Sequence, residues 1–213
     1  MKPDAFPKLL LAGALASGLA ACGGDDDDND RNDGGANGDA SSDTTAEVRV
    51  VHASSDAPNV NAGLNGGNQV PDLAFANATG FLSVDEGDYD VTVDGILPDE
   101  STTTVVNAPG VTLSADDETS IFAVGNVGDN SIAPLVVTAP DADPASDEVR
   151  AQVVHASSAA AGAGPLDVYV TAPGADLSSS DPLGAFEFRG SIGPATVPSG
   201  DYRIRVTPEG APD

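Results

Sequence analysis

The chain has 213 residues, of which 34 are acidic and eight are basic, so its formal net charge at pH 7 is −26. A polyanion of this strength repels phosphates, which excludes nucleic-acid binding through a basic face. One cysteine excludes an internal disulfide and a cysteine-rich zinc site, and nothing in the composition indicates a cofactor.

Residues 1–21 are predicted to be a lipoprotein signal peptide. A short positive segment precedes an apolar run over residues 9–20, which is too short to span a bilayer. The run ends in Leu-Ala-Ala-Cys at residues 19–22, which resembles the lipobox of bacterial lipoproteins. The resemblance implies cleavage between Ala21 and Cys22 and attachment of acyl chains such as palmitate to the Cys22 sulfur.

The expected location is the cell envelope, with the protein held at the membrane by its N-terminal lipid. Several acyl chains anchor a protein stably, because each buried CH₂ contributes about 0.8 kcal/mol. Gly23 follows the cysteine where an aspartate would resemble an inner-membrane retention signal, so the outer membrane is favoured in a Gram-negative cell. The alternative is an ordinary secretory signal in which Cys22 stands by chance.

Residues 22–46 are predicted to form a disordered acidic tether behind the lipidated cysteine. The segment holds eight aspartates and almost no side chain that could pack in a core. Charge repulsion and solvation keep such a segment extended. Calcium binding by the run at residues 25–28 is an alternative use of the same carboxylates.

An internal repeat organises the rest of the chain. Val-Val-His-Ala-Ser-Ser occurs at residues 50–55 and again at 153–158, and residues 84–93 match residues 197–206. The two displacements are 103 and 113, so the second copy has ten extra residues, which we place in 159–164 and 176–181. A period near 100 residues indicates tandem domains rather than a solenoid.

The repeat predicts a first module at residues 47–140, a linker at 141–147 and a second module at 148–213. Short β-branched or aromatic segments alternate with turn residues, which indicates two tandem immunoglobulin-like antiparallel β-sandwich modules of the all-β class. The strands predicted in the first module cover residues 48–51, 73–75, 89–93, 103–106, 121–124 and 135–137.

The second module is predicted to be incomplete. After Val93 the first copy continues with about three more strands, whereas only seven residues follow Val206. A sandwich without its last strands exposes unpaired edges and half of its core. We expect a C-terminally truncated product, and the alternative is that the first domain or a partner supplies the missing strands.

The motifs at residues 48–58, 75–84 and 87–93 resemble those of the bacterial domain-of-unknown-function family DUF4397. This family occurs as tandem β-sandwich modules in secreted proteins and lipoproteins, so the resemblance implies an exported, modular β protein. Residues 61–64 depart from the usual Asp-Val-Tyr-Val, which the second copy keeps at residues 167–170. The family has no assigned chemistry, and a fold alone does not supply one.

His52 and His155 occupy the same position in the two copies and are predicted to be structural. The turn after the first histidine contains Ser54, Ser55 and Asp56. Neighbours this close along one strand and turn are not placed in triad geometry, and Ala159 replaces the aspartate in the second copy. The imidazole and the hydroxyls are instead expected to bond backbone groups of the turn.

Loop carboxylates are the other candidate site residues, as weak calcium ligands. The best group lies in the linker and consists of Asp141, Asp143, Asp147 and Glu148. Other acidic loops contain Asp85, Glu86, Asp88 and Asp90, or Asp116, Asp117 and Glu118. None fits the D-x-D-x-D-G calcium loop. Paired carboxylates for glycoside hydrolysis are disfavoured, because the chain has no tryptophan and few aromatic platforms.

These features predict a non-enzymatic cell-envelope lipoprotein that presents β-sandwich modules to a carbohydrate or an envelope protein. A calcium-stiffened spacer is the alternative, and an envelope hydrolase is less favoured. Without residues 1–21, six arginines face 33 acidic residues and no lysine remains, giving a net charge of −27. Such a surface resembles that of halophilic proteins, in which salt screens the self-repulsion.

Overall fold

The computed structural model describes residues 45–212, and these are built of β-strands, which confirms the all-β, sandwich-like fold class. In the first repeat the strands are β1 (Thr45–His52), β2 (Val60–Leu64), β3 (Gly67–Leu73), β4 (Leu82–Asp85), β5 (Gly87–Ile96), β6 (Thr102–Leu113), β7 (Asp117–Val124) and β8 (Ala133–Pro140). In the second repeat they are β9 (Glu148–Val154), β10 (Leu166–Thr171), β11 (Gly184–Phe186), β12 (Ser191–Pro198) and β13 (Arg203–Pro208).

The first repeat is a sandwich of two four-stranded sheets. One sheet has the strand order β4-β1-β7-β8 and the other has the order β3-β2-β5-β6. All of these pairs are antiparallel except β1 with β7, which is parallel. Through this parallel pair β1 contacts the last hairpin of the repeat, which β7 and β8 form. Such a long-range contact is not indicated by any local sequence pattern.

The core of the first repeat lies between its two sheets and is made of small and β-branched side chains. Val91 and Val93 of β5 are fully buried, whereas Thr92 between them and Asp90 before them are more exposed. The alternation predicted for residues 89–93 is therefore confirmed. Ile121 of β7 packs with Val91 from the opposite sheet, which joins the two layers.

The second repeat has the same strand registers as the first. β12 pairs with β9 as β4 pairs with β1, so Val149 opposite Val197 corresponds to Ala46 opposite Val84. β13 pairs with β10 as β5 pairs with β2. Two short 3₁₀ helices, Ser158–Ala163 and Leu177–Ser179, occupy the regions predicted to hold the extra residues.

The second repeat has fewer strands than the first. Its two sheets are β12-β9 and β11-β10-β13, with no counterpart of β6, β7 or β8 within residues 45–212. These residues lie in one compact unit, so the predicted division at 47–140, 141–147 and 148–213 stays a prediction.

One predicted strand is displaced. The sequence predicts a strand at residues 73–75, but β3 ends at Leu73 and Phe75 is exposed. Ala76 has a positive φ of 64°, and its N–H donates to the carbonyl of His52 at 2.9 Å. The chain therefore leaves one sheet at this point and runs along the edge of β1.

The signal peptide, Cys22 and nearly all of the predicted tether lie outside the described residues. β1 begins at Thr45, so the last two residues of the segment 22–46 belong to this strand. Among residues 45–212 no helix has the length and apolar character needed to cross a membrane.

Candidate ligand cleft between the two repeats

The second repeat packs on the outer face of the sheet formed by β4, β1, β7 and β8. Phe122 and Val124 of β7 and Val137 of β8 form the buried part of this contact. Val154 and Phe188 of the second repeat pack against them. Because this apolar contact covers only one end of the outer face, the other end remains open.

Polar contacts surround the apolar part of the contact between the repeats. Ser158 Oγ donates to Asn126 Oδ1 at 2.9 Å. A guanidinium nitrogen of Arg189 donates to the carbonyl of Ser131. These bonds tie the loop after β7 to the second repeat and restrict rotation of one repeat against the other.

A cleft of about 560 Å³ lies where the outer face remains open. Arg49 and Phe81 line the side formed by the first repeat, and Gln152 lines the side formed by β9. Asp141 and Asp143 line the linker side. Guanidinium donors, carboxylate acceptors and an amide are thus exposed to one space.

Arg49 is the cationic group that the cleft presents. Its Nε donates to Ser120 Oγ at 2.7 Å, and its guanidinium carbon lies 4.7 Å from the centroid of the Phe81 ring. These two contacts hold the guanidinium plane on the sheet surface. Within residues 45–212 its two terminal nitrogens have no hydrogen-bond acceptor, so they are available to a ligand.

Arg150 holds the cleft walls together. Its Nη2 lies 3.1 Å from Glu118 Oε2, which joins β9 to β7. Its Nη1 donates to the carbonyl of Ala142, which joins β9 to the linker. Arg150 is therefore a structural residue, and the carboxylate of Glu118 is already paired.

The linker carboxylates do not converge. Asp141 and Asp143 line the cleft, while Asp147 uses its carbonyl to accept the N–H of Ser199 at 2.6 Å. The N–H of Glu148 donates to the carbonyl of Ala145. In the part of the chain that the structure describes, no three Asp, Glu, His or Cys side chains are grouped as metal ligands. Calcium binding at the linker stays a prediction.

The acidic positions of β5 join this strand to its neighbour. Asp88 Oδ1 accepts the hydroxyl of Thr112 at 2.6 Å, and Asp90 Oδ1 accepts the N–H of Gly110 at 3.0 Å. The carbonyl of Asp85 accepts the hydroxyl of Tyr89 at 2.7 Å. These contacts link strands and turns of the first repeat.

His52, Ser54 and Asp56 form a turn-fixing network and not a nucleophile with its base. His52 Nε2 lies 3.0 Å from the carbonyl of Pro58, and its Nδ1 lies 3.4 Å from the N–H of Ser54. The Ser54 hydroxyl donates to Asp56 Oδ1 at 3.3 Å, away from the imidazole. Because the imidazole receives no hydroxyl proton, the arrangement lacks the contact that a triad requires.

Asp56 ties the turn after β1 to the loop after β7. Its two carboxylate oxygens accept the N–H groups of Val127 and Gly128, each at 2.8 Å. These backbone donors hold the pKa of the Asp56 carboxyl below its usual range. The carboxylate therefore stabilises the loop at pH values above the usual pKa of an aspartate. This contribution is lost as the pH falls through the lowered pKa of the folded protein, where the carboxylate becomes protonated.

His155 differs from His52 in its hydrogen bonding. Its ring is buried beside Phe186 and Phe188, with centroids 5.6 and 5.7 Å away. Among the described residues its Nε2 has no hydrogen-bond partner. Burial lowers the pKa of His155, because the apolar surroundings disfavour the imidazolium.

We expect His155→Leu to reduce the loss of stability between pH 7.5 and pH 5.5. The unfolded ring titrates at the ordinary value of 6.5 and the folded ring below it, so stability is full above 6.5 and falls as the pH decreases toward the folded pKa. Melting temperatures at the two pH values measure the effect. An equal drop in wild type and variant would contradict it.

Sequence reasoning missed Arg49 and Phe81. The sequence does hold one indication of Arg49. It is one of six arginines in a chain with 34 acidic residues, and it lies on the polar face of a predicted strand. Its partners come from residues 32 and 71 positions away in sequence, so only the fold places them together.

The sequence profile described as "Domain of unknown function (DUF4397)" matches residues 46–169, which is more than half of the chain. The match covers the first repeat and extends through most of β10. The chain has no match among curated proteins or among solved structures. The matched segment contains the turn of His52 as well as Arg49 and Arg150 of the cleft. The chain belongs to the DUF4397 family.

Proposed function

We propose that this protein is a non-enzymatic lipoprotein of the cell envelope that binds a hydroxyl-rich polymer in the cleft between its two repeats. The signal-peptide pattern and Cys22 support the anchor and the location. Membership of the family is compatible with this role but assigns no chemistry.

The observation that carries the proposal is the available guanidinium of Arg49 facing carboxylates across an open cleft. Hydroxyl groups donate and accept hydrogen bonds, so a polysaccharide segment can use Arg49 as donor and Asp141 or Asp143 as acceptor. The side chain of Gln152 offers both functions on the opposite wall. A cleft open to solvent admits a segment of a long polymer.

A non-enzymatic role is supported by the hydrogen bonds and ion pairs that already engage the side chains that could act as catalysts. His52, Ser54 and Asp56 bond to backbone groups or to each other in the turn. Glu118 is paired with Arg150, which leaves the cleft without a free pair of carboxylates on opposite walls for glycoside hydrolysis.

The test is binding of the purified lipoprotein in detergent to polysaccharide fractions isolated from the envelope of its own bacterium. Arg49→Gln should weaken binding about tenfold or more, because a hydrogen bond from a charged donor contributes about 1.5–3 kcal/mol. Arg203→Gln is the matched control, since Arg203 is exposed on β13 and lies outside the cleft.

Three results would overturn parts of the proposal. Absence of binding to every polysaccharide fraction, with an envelope protein captured instead, would replace the polymer by a protein ligand. Equal binding by wild type and Arg49→Gln would remove the cleft as the site. Mass spectrometry that found an unmodified sulfur at Cys22 would refute the anchor.

The calcium-stiffened spacer predicts a higher melting temperature in millimolar Ca²⁺ than in EDTA. We expect no difference, because Glu118 is neutralised by Arg150 and the carboxylates of Asp141 and Asp143 stand without a third ligand group. The same thermal scans therefore separate the two functions.

A further inference from the structure

Two equivalent positions of the repeats face the same cleft. The strand registers that align Ala46 with Val149 also align Arg49 of β1 with Gln152 of β9, since each lies three residues further along its strand. Both side chains line the cleft. The repeats therefore contribute side chains from the same place in their folds, a guanidinium from the first repeat and an amide from the second.

A second pair of equivalent residues lies in the same cleft. Phe81 lies three residues before Val84, and Pro194 lies three residues before Val197, which is the equivalent of Val84. Both Phe81 and Pro194 line the cleft. Each repeat therefore places one hydrogen-bonding side chain and one apolar ring in this space.

The equivalence continues into the apolar contact between the repeats. Val51 and Val154 lie two residues beyond Arg49 and Gln152, and both pack in the cluster around Phe122. Residues two apart on a strand are on the same face, so the outer faces of β1 and β9 are turned toward each other. Equivalent surfaces of two units meet in this way in an isologous interface.

We call Arg49 with Phe81 the first half-site and Gln152 with Pro194 the second half-site. The terminal nitrogens of Arg49 are donors only, and within residues 45–212 they have no acceptor, so a ligand oxygen suits them. The side-chain amide of Gln152 both donates and accepts. An amide group on the ligand fits both half-sites, because its carbonyl accepts and its N–H donates.

The charges at the cleft favour a neutral ligand. Asp141 and Asp143 line the cleft and the chain after Cys22 has a net charge of −27, so an anionic unit is repelled. A cationic unit is repelled by Arg49 at short range. An acetamido group carries a carbonyl, an N–H and a methyl without net charge, and its methyl suits the apolar ring of each half-site.

We propose that the cleft binds two neighbouring acetamido-bearing sugar units of a neutral polysaccharide, one unit in each half-site. The inference rests on the proposed function, because it names the chemical class of the hydroxyl-rich polymer. The acetamido carbonyl of one unit accepts the N–H groups of Arg49, and the acetamido group of the other pairs with the amide of Gln152. Gln152 is thus a residue that determines specificity.

The probes are fluorescently labelled chitin oligomers, which are chains of N-acetylglucosamine, titrated against the full lipoprotein in detergent by fluorescence anisotropy. Cellulose oligomers are the matched control, since a hydroxyl replaces each acetamido group on the same backbone. We expect the chitin dimer to bind about tenfold or more tightly than the monomer, because only the dimer fills both half-sites. The cellulose dimer should bind about tenfold or more weakly than the chitin dimer.

Gln152→Leu tests the second half-site. It should weaken binding of the chitin dimer about fivefold or more and bring the affinities for the chitin and cellulose dimers closer together, because the amide that pairs with the acetamido group is gone. A merely structural role would lower both affinities by the same factor. Gln69→Leu is the matched control, since Gln69 is exposed on β3 and lies outside the cleft. Circular dichroism melts confirm that each variant remains folded.

Two outcomes would overturn the inference and leave the proposed function standing. The first is equal affinity for the chitin and cellulose dimers, with both weakened by Arg49→Gln. The second is binding of an envelope polysaccharide that depends on Arg49, while no chitin oligomer binds. A Gln152→Leu variant that keeps the full preference for the chitin dimer would remove the second half-site. Absence of binding to every oligomer and every envelope polysaccharide would overturn the inference and the proposed function together.

Discussion

Val91→Asp is expected to unfold the first repeat, whereas Ile204→Asp at the equivalent position of the second repeat should leave stability nearly unchanged. Val91 is completely buried between two sheets, and an unpaired buried charge costs about 3–5 kcal/mol, a large fraction of the stability of a small domain. Ile204 is more than half exposed, and substitutions at exposed sites are usually within about 0.5 kcal/mol of neutral.

Urea denaturation of the two variants beside wild type measures this difference. The expected result is loss of cooperative unfolding for Val91→Asp and an unchanged midpoint for Ile204→Asp. Destabilisation of similar size at both positions would mean that Ile204 is covered in solution. In that case the face of β13 would be covered in solution.

Salt is expected to have the second large effect. The melting temperature should rise by several degrees as chloride salt is increased from about 10 mM to about 1 M, where the Debye length falls from about 30 Å to about 3 Å. The physical reason is the net charge of −27 on the chain after Cys22, which no lysine offsets. Screening reduces the repulsion that favours the expanded, unfolded chain.

Sodium chloride and potassium chloride should act alike if screening is the cause. A neutral osmolyte such as sucrose is the control, because it strengthens effective burial without screening charge. A melting temperature that stays flat with salt would show that the acidity is incidental to stability. It would also remove the support for a halophilic origin.

Local sequence patterns predicted the β class and the repeat because each depends on few neighbouring residues. The alternation of Tyr89, Val91 and Val93 indicates a half-buried strand wherever one face is covered. The second copy has the same alternation at Tyr202, Ile204 and Val206, and the strand forms there too. The pattern therefore predicted the strand in both copies.

The same local patterns missed β2 and β4 and displaced the strand at residues 73–75. β2 has the sequence Val-Asn-Ala-Gly-Leu, and its Asn, Ala and Gly are residues of low β-propensity. The strand is nonetheless buried between β3 and β5. Gly63 is placed so closely that an added Cβ would lie 2.5 Å from the carbonyl oxygen of Gly67. Such a position is defined by its neighbours, and β-propensity alone does not reveal it.

By itself, the sequence determined that this is an acidic all-β protein with an internal repeat, and it predicted a signal peptide that ends before Cys22. These properties follow from composition, periodicity and short motifs, which involve residues that are close together in the sequence. Only the tertiary structure decided that Arg49 faces an open cleft and that Val91 is covered while Ile204 is not. Exposure depends on which distant strands pack against a residue, so two strands with the same apolar alternation differ in how far their side chains are buried.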